Sequence, residues 1–300
     1  MTIRPSTDQD IPAIVDLLKL SLGESLMSKS EAFWRWKHIE NPFGKSPVLL
    51  AFEQDELIGV RAFMRWEWRS GKTIFKSVRA VDTATHPNHQ GKGIFKALTT
   101  QLVEQCRADG VHFIFNTPNK ISMPGYLKMG WEKNGRMKIW VRPIMNLSRH
   151  EEKISRQRFV PDDALFFLKE WTFFPDEKLI TNRSLEYLQW RYDQNPNFEY
   201  YQLQHNDALG IYRLKPNRFG NEFRIVELFW NGKNRSDLSR MIVQTAKAAG
   251  ANLITYSGIS FPLQAFQLPV GPIVTVHQLN GQNSLSFGFW KPSLGDMEVF

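Results

Sequence analysis

The strongest constraint on this chain is a passage that it carries twice. Ser30, Phe33, Trp36, Lys37, Asn41 and Pro42 recur at one constant offset as Ser184, Tyr187, Trp190, Arg191, Asn195 and Pro196, with aromatic exchanged for aromatic and base for base. Each copy opens a helical stretch that ends near its proline, because the residue before proline resists the helical region. The elements that follow also keep one order. Val48 to Glu53, Leu57 to Arg65 and Thr73 to Thr83 read as strands joined by polar turns, Ile94 to Arg107 as a helix closed by Gly110, and Val111 to Asn116 as a strand. After the second copy come strands at Tyr200 to Gln204, Leu209 to Leu214 and Phe223 to Trp230, a helix from Leu238 to Ala249, and a strand at Asn252 to Tyr256. A repeat this long is not a solenoid unit and predicts two copies of one domain, 1–147 and 164–300, joined through the charged, proline-punctuated stretch 148–163. Ahead of the first copy, Ile3 and Arg4 begin a short strand. Asp10 is the expected N-cap of a helix whose Ile11, Ile14, Val15, Leu18 and Leu22 fall at helical spacing.

A length of 300 residues allows each half its own core. The net charge of +8 is dispersed among carboxylates without a block of like charges, which fits a solvated basic surface, and no nucleic-acid partner is expected. The one cysteine, Cys106, has no partner for an intramolecular disulfide and falls on the apolar stripe of its helix, so it reads as core. No run of eighteen apolar residues occurs, and the opening MTIRPSTDQD is polar and acidic where a signal peptide is basic and then apolar. The expectation is a cytoplasmic protein without a membrane partner; its oligomeric state is left open.

Chemistry concentrates in VDTATHPNHQGKGIFKALTTQL: an apolar strand, a proline, a glycine turn and a helix. Glycines let the backbone fold tightly so that N–H groups converge on a phosphate at the positive end of the helix, and Lys92 adds a charge. On glycine pattern alone the segment serves equally as a plain strand-to-helix connection. Competing nucleotide motifs fail: Gly44-Lys45-Ser46 and Gly71-Lys72-Thr73 lack the upstream glycine of a Walker loop, and Lys96 stands where a dinucleotide fingerprint needs its third glycine.

Gln90, Gly91, Lys92 and Gly93 resemble the pyrophosphate loop of the GNAT acyltransferase superfamily, Gln/Arg-x-x-Gly-x-Gly/Ala, with Phe95 in place of the final small residue. Downstream, NKISMPGYLKMGW is similar to the family's Asn-x-x-Ala-x-x-x-Tyr-x-x-x-Gly-Phe pattern at Asn119, Tyr126, Gly130 and Trp131, with Ser122 at the alanine. The resemblance spans Ile3 to Trp140 in element order. It implies an α+β fold of two GNAT-like domains, each a mixed, mostly antiparallel sheet flanked by helices, the second degenerate because NGKNRSDLSR replaces its glycine turn. It implies acetyl-CoA as cosubstrate, held by amides of Gln90 to Ile94 and Phe95, with Phe95 pointing its ring into the core. Asn119 is expected to orient the pantetheine arm, and backbone groups around Asp82, Thr83 and Ala84 to polarise the thioester carbonyl. Tyr126 is the expected general acid for the departing thiolate.

For the base that deprotonates the amine, the candidate is Asp82, at the end of the strand that feeds the turn, where a raised carboxyl pKa suits the role. A solvated strand-end carboxylate is the alternative. His86 and His89 are only two potential ligands in one loop, so no metal is expected. Trp66, Trp68 and Arg69 read as sheet residues or as lining of the acceptor cleft. The expected function is transfer of an acyl group from acetyl-CoA to a small-molecule or peptide amine. Two other readings stay open: a tRNA-dependent aminoacyl transferase of the peptidoglycan-bridge kind, and a non-catalytic acyl-CoA-binding protein.

Overall fold

In the computed structural model, residues 1–24, 27–145, 156–171, 178–205, 208–218, 220–258, 261–280 and 286–297 are described. The first half runs β1 (Thr2–Pro5), α1 (Ile11–Leu22), α2 (Glu31–His38), β2 (Val48–Glu53), β3 (Glu56–Ser70), β4 (Thr73–Thr85), α3 (Ile94–Ala108), β5 (Phe113–Asn116), α4 (Met123–Lys128), β6 (Glu132–Arg136) and β7 (Ile139–Pro143). The second runs α5 (Leu165–Trp171), β8 (Ile180–Thr181), α6 (Leu185–Leu188), β9 (Tyr201–His205), β10 (Ala208–Asn217), β11 (Gly220–Trp230), α7 (Arg235–Ala248), β12 (Ala251–Tyr256), β13 (Phe266–Leu268), β14 (Ile273–Gln278) and α8 (Leu294–Met297).

These strands form two mixed sheets, the α+β class expected from the sequence. The first has the order β1-β2-β3-β4-β5-β14-β6, with β8 against β3, and the second β13-β7-β12-β11-β10-β9. Each contains one parallel pair, β4 with β5 and β11 with β12, where a helix (α3 or α7) makes the crossover. The sheets do not follow the boundary drawn at residue 147. β7 lies before it yet pairs with β12 and β13, while β14 lies far beyond it yet is inserted between β5 and β6. The first half gives the second sheet β7, and the second half gives the first sheet β14 and the short β8. Of the expected joining stretch, 148–155 lies outside the described residues.

The repeated passages meet face to face. Ser30 and Ser184 cap α2 and α6 by accepting from the amides of Phe33 and Tyr187, each at 3.1 Å, as a short N-cap side chain does. Trp36 Nε1 donates to the carbonyl of Trp190 and Trp190 Nε1 to the carbonyl of Trp36, both at 2.7 Å, with the indoles stacked at 4.8 Å. Around this pair, Trp66, Trp68, Phe115, Tyr187, Val226, Trp290 and Leu294 make one core shared by both halves. Trp66 and Trp68 are therefore core residues and do not line an open cleft. α8 is wedged into the same region, where Arg79 of β4 donates to the carbonyl of Asp296 at 2.6 Å and Thr181 to its carboxylate at 2.7 Å.

Helical periodicity translates directly into burial elsewhere. Ile11, Ile14, Val15, Leu17 and Leu18 bury one face of α1 against the first sheet, and Ile94, Leu98, Leu102 and Cys106 bury one face of α3 on its other side. Asp10 departs from its expected role: it makes no cap bond to α1. Its carboxylate instead accepts from the amide and hydroxyl of Thr7 and is clamped by both terminal nitrogens of Arg4 at 2.9 and 2.6 Å, closing a capping box one turn earlier.

Candidate active site

The site is an opening in the first sheet. β4 and β5 pair only from Ser77 to Arg79 against Phe113 to Phe115; beyond that β4 runs on to Thr85 paired with β3 and no longer with β5. Asp82, Thr83 and Ala84 lie on this stretch of β4, which leads into the glycine turn and α3.

The turn has the geometry an anion needs. Pro87 to His89 form a single 3-10 turn, Gln90 is extended, and Gly91 and Gly93 take φ of +76° and +79°. Gly93 is the N-cap of α3, and with no side chain it leaves the first-turn amides of Ile94, Phe95 and Lys96 uncapped. Residues Gln90 to Gly93 are all exposed, and the positive end of a fifteen-residue helix points through them. Lys92 reaches back to His89 Nδ1 at 3.2 Å and Glu53 at 3.5 Å. Phe95 turns its half-buried ring inward onto Tyr126, edge-on at 5.6 Å, as its place on the apolar stripe required.

Asn119 is exposed, and its Oδ1 accepts from the amides of Ile121 and Ser122 and the hydroxyl of Ser122. That Asx turn starts α4 and so sets the position of Tyr126. Tyr126 is 3% exposed and rests between Phe95 and Trp131. Its hydroxyl oxygen accepts from Arg61 Nη2 at 2.7 Å. Gly130 holds the motif tight: at φ +93°, a Cβ there would come within 2.9 Å of His277 of β14. His277 is hydrogen-bonded to the Gly130 carbonyl at 2.7 Å and stacks on Trp131 at 4.4 Å. The strand donated by the second half thus completes the first half's motif.

Asp82 is the extra residue of a bulge: Arg61 faces Thr83 and Ala62 faces Val81, leaving Asp82 unpaired with φ at +40°. A non-glycine residue in that conformation costs on the order of 1–3 kcal/mol and persists only where its surroundings over-determine it. Here they do. Lys37 Nζ and His38 Nε2, both on α2 and both 2% exposed, donate to Asp82 Oδ2 at 2.6 and 2.8 Å, while His38 Nδ1 pairs with the Ser46 hydroxyl at 2.9 Å.

The raised pKa expected of Asp82 is not what this arrangement yields. Burial pushes the carboxyl up, but the Lys37 charge and the His38 hydrogen bond outweigh it and hold the group well below the usual carboxylate range. Burial also lowers His38, and Lys37 opposes its protonation while Asp82 favours it. The imidazole is therefore a neutral donor to Asp82.

Lys37 was visible in the repeat, but without a role. The signal for His38 was a contrast between the copies, since its counterpart is Tyr192. Arg61 was also missed; its signal was a single cation in the otherwise apolar run Ile58 to Met64.

Glu56 joins His86 and His89 as a possible third metal ligand, their ligand atoms lying within 4.8 Å of one another. The tautomers oppose that use. Nδ1 of His86 accepts from the amide of Asn88 at 3.2 Å, so in the neutral ring Nε2 carries the proton and faces Glu56 as a donor at 3.7 Å. His89 Nδ1 lies 3.1 Å from Glu53, and these contacts brace the turn. Cys106 is fully buried, and burial pushes its thiol up to about 12.

Comparison with known proteins agrees with this geometry. No curated protein matches the chain. A probable N-acyltransferase of unknown function from Enterococcus faecalis V583 superposes with a TM-score of 0.67 at 11% identity, over 93% of this chain and 72% of that one. A GCN5-related N-acetyltransferase from Kribbella flavida gives 0.68 at 13% identity, over 93% and 71%. Another from Anabaena variabilis gives 0.64 at 15%, over 93% and 73%. At such identities these likenesses establish the fold. Residues 2–133, which contain β4, the glycine turn and Tyr126, match the family model of the acetyltransferase (GNAT) domain.

Proposed function

We infer that the protein transfers an acetyl or other acyl group from acetyl-CoA to an amine by direct attack on the thioester. The observation that carries this reading is the uncapped, exposed glycine turn at the N-terminus of α3, whose Phe95 packs its ring on Tyr126. In this reading the amides of Gln90 to Phe95 hold the pyrophosphate, Lys92 adds its charge, and Asn119 orients the pantetheine arm. The backbone of Thr83 and Ala84 polarises the thioester carbonyl as the amine attacks, and Tyr126 protonates the sulfur as the carbon–sulfur bond breaks. Asp82, held anionic by Lys37 and His38, keeps the bulge in place and presents negative charge to an incoming ammonium group. It is a weak base in that setting. The second half is a degenerate copy of the first that supplies β14 and one wall of the acceptor cleft; a chain cut after Arg149 that stays soluble and fully active speaks against this.

Thiol release from acetyl-CoA, measured across amines, amino sugars, amino acids and peptides alongside calorimetric CoA binding, tests the reading. Turnover with at least one acceptor, lowered about 100-fold or more in Tyr126→Phe, is the expected result. Binding without turnover favours an acyl-CoA sensor. Absence of both removes the proposal, and unchanged turnover in the Phe variant removes Tyr126 as the acid.

A further inference from the structure

The first sheet contains a charge without a counter-charge. Arg61 lies on β3, between β2 and β4, and is 0% exposed. Its Nη2 donates to the Tyr126 hydroxyl at 2.7 Å, whereas its Nε and Nη1 are buried and have no partner. The guanidinium is enclosed by aromatic faces: its Cζ is 4.7 Å from the centre of Phe63, 5.4 Å from Phe95 and 5.3 Å from Tyr126. Among the described residues no carboxylate lies within ion-pair distance of it. Aromatic faces offset part of the desolvation of a cation, but an unpaired buried arginine is still among the more costly groups a core can hold.

The geometry points to a counter-charge that forms during the reaction, and Arg61 is the residue that makes Tyr126 usable as an acid. This rests on the acyl-transfer reading above. Arginine has no acceptor, so the phenolic proton is not spent on it and remains available, while the phenolic oxygen already receives an N–H from a full positive charge. When the carbon–sulfur bond breaks, the electron pair goes to sulfur and the sulfur takes the phenolic proton. The product at residue 126 is a phenolate in a water-poor site, bonded to Arg61 and neutralised by it. The proton that the amine nitrogen sheds after its attack, passed on through solvent, restores the phenol. Arg61 touches neither reacting bond and acts through Tyr126 as a positioning residue.

The test is a double-variant cycle on the full chain with acetyl-CoA and the best acceptor, comparing Arg61→Met, Tyr126→Phe, the two combined, and Arg61→Lys. Arg61→Met is expected to lower kcat 30-fold or more with KM for acetyl-CoA within about threefold, and the combined variant to be no slower than Tyr126→Phe alone. Arg61→Lys, which keeps the charge, is expected to recover at least fivefold of the loss. Replacing acetyl-CoA by an aryl thioester, whose thiol leaves without protonation, is expected to shrink the Arg61→Met defect to less than threefold.

Losses that add in the combined variant, or a defect that persists with the aryl thioester, overturn the proposal and leave Arg61 a packing residue. A Tyr126→Phe variant as active as the parent defeats the underlying assignment of the acid and is recognisable as that separate failure. Arg61→Met is expected to melt no lower than the parent, since it removes an unpaired buried charge at similar volume. If it fails to fold, Arg61→Lys carries the cycle with Tyr126→Phe, and additivity there is equally fatal.

Discussion

Replacing His38 by glutamine should remove a specific pH dependence from the stability of the chain. His38 is 2% exposed and its pKa is lowered, so the folded protein keeps it neutral while the unfolded chain protonates it near 6.5. Below 6.5 the unfolded state therefore binds one more proton than the folded state, and stability falls as pH falls. The limiting slope for one proton is about 1.4 kcal/mol per pH unit. From pH 7.5 to 5.5 the loss integrates to at most about 1.4 kcal/mol, the limit for a ring that takes up no proton in the folded state. Glutamine retains a donor toward Asp82 and does not titrate. Urea unfolding of parent and His38→Gln at pH 7.5, 6.5 and 5.5 reads the effect as the difference between the two, in which the other histidines cancel. That difference should shift in favour of the variant, by at most about 1.4 kcal/mol, as the solution is acidified. A difference constant over this range, or one moving the other way, refutes the reasoning. Asp82 contributes in a separate window. Its depressed pKa supplies stability that is full above the ordinary carboxyl value near 4 and is lost only as pH falls below it.

Three further outcomes are expected. Trp36→Ala should cost about 3–5 kcal/mol in urea unfolding, because it empties a fully buried site and removes one of the two reciprocal indole bonds between the halves. Gly93→Ala meets no neighbouring atom within 4 Å but must hold φ near +79°, so urea unfolding should find it about 1–2 kcal/mol less stable than the parent. Cys106 should resist a thiol reagent at neutral pH in the native protein and react fully in denaturant, since its sulfur is buried and its thiol is pushed up to about 12.

What was legible in the sequence was what short-range pattern encodes. The turn Gln90 to Gly93 could be read because glycine spacing dictates local backbone shape. The repeated passage around Trp36 and Trp190 could be read because it keeps one register. The clamp on Asp82 could not, since Lys37 and His38 reach it from a helix more than forty positions earlier and nothing local to the bulge names them. Arg61 and Tyr126 are separated in the same way, and neither residue alone announces the pair. Nothing local in the sequence says which sheet β7 and β14 enter. Pairing across a long separation depends on which edge is left open, a property of the assembled fold.

The exchange of β7 and β14 also sets a schedule for making the protein. Asn116 on β5 must wait for Thr275 on β14, 159 positions later, before their side chains can bond. At a synthesis rate of about 5–20 residues per second, the nascent first sheet keeps an unfilled edge for roughly 8–32 s. During that interval the backbone groups of β5 that later meet β14 are a template for any passing strand. Ribosome-bound chains should therefore be most prone to capture by chaperones between those two points, and slowing synthesis there should lengthen the hazard more than slowing it elsewhere.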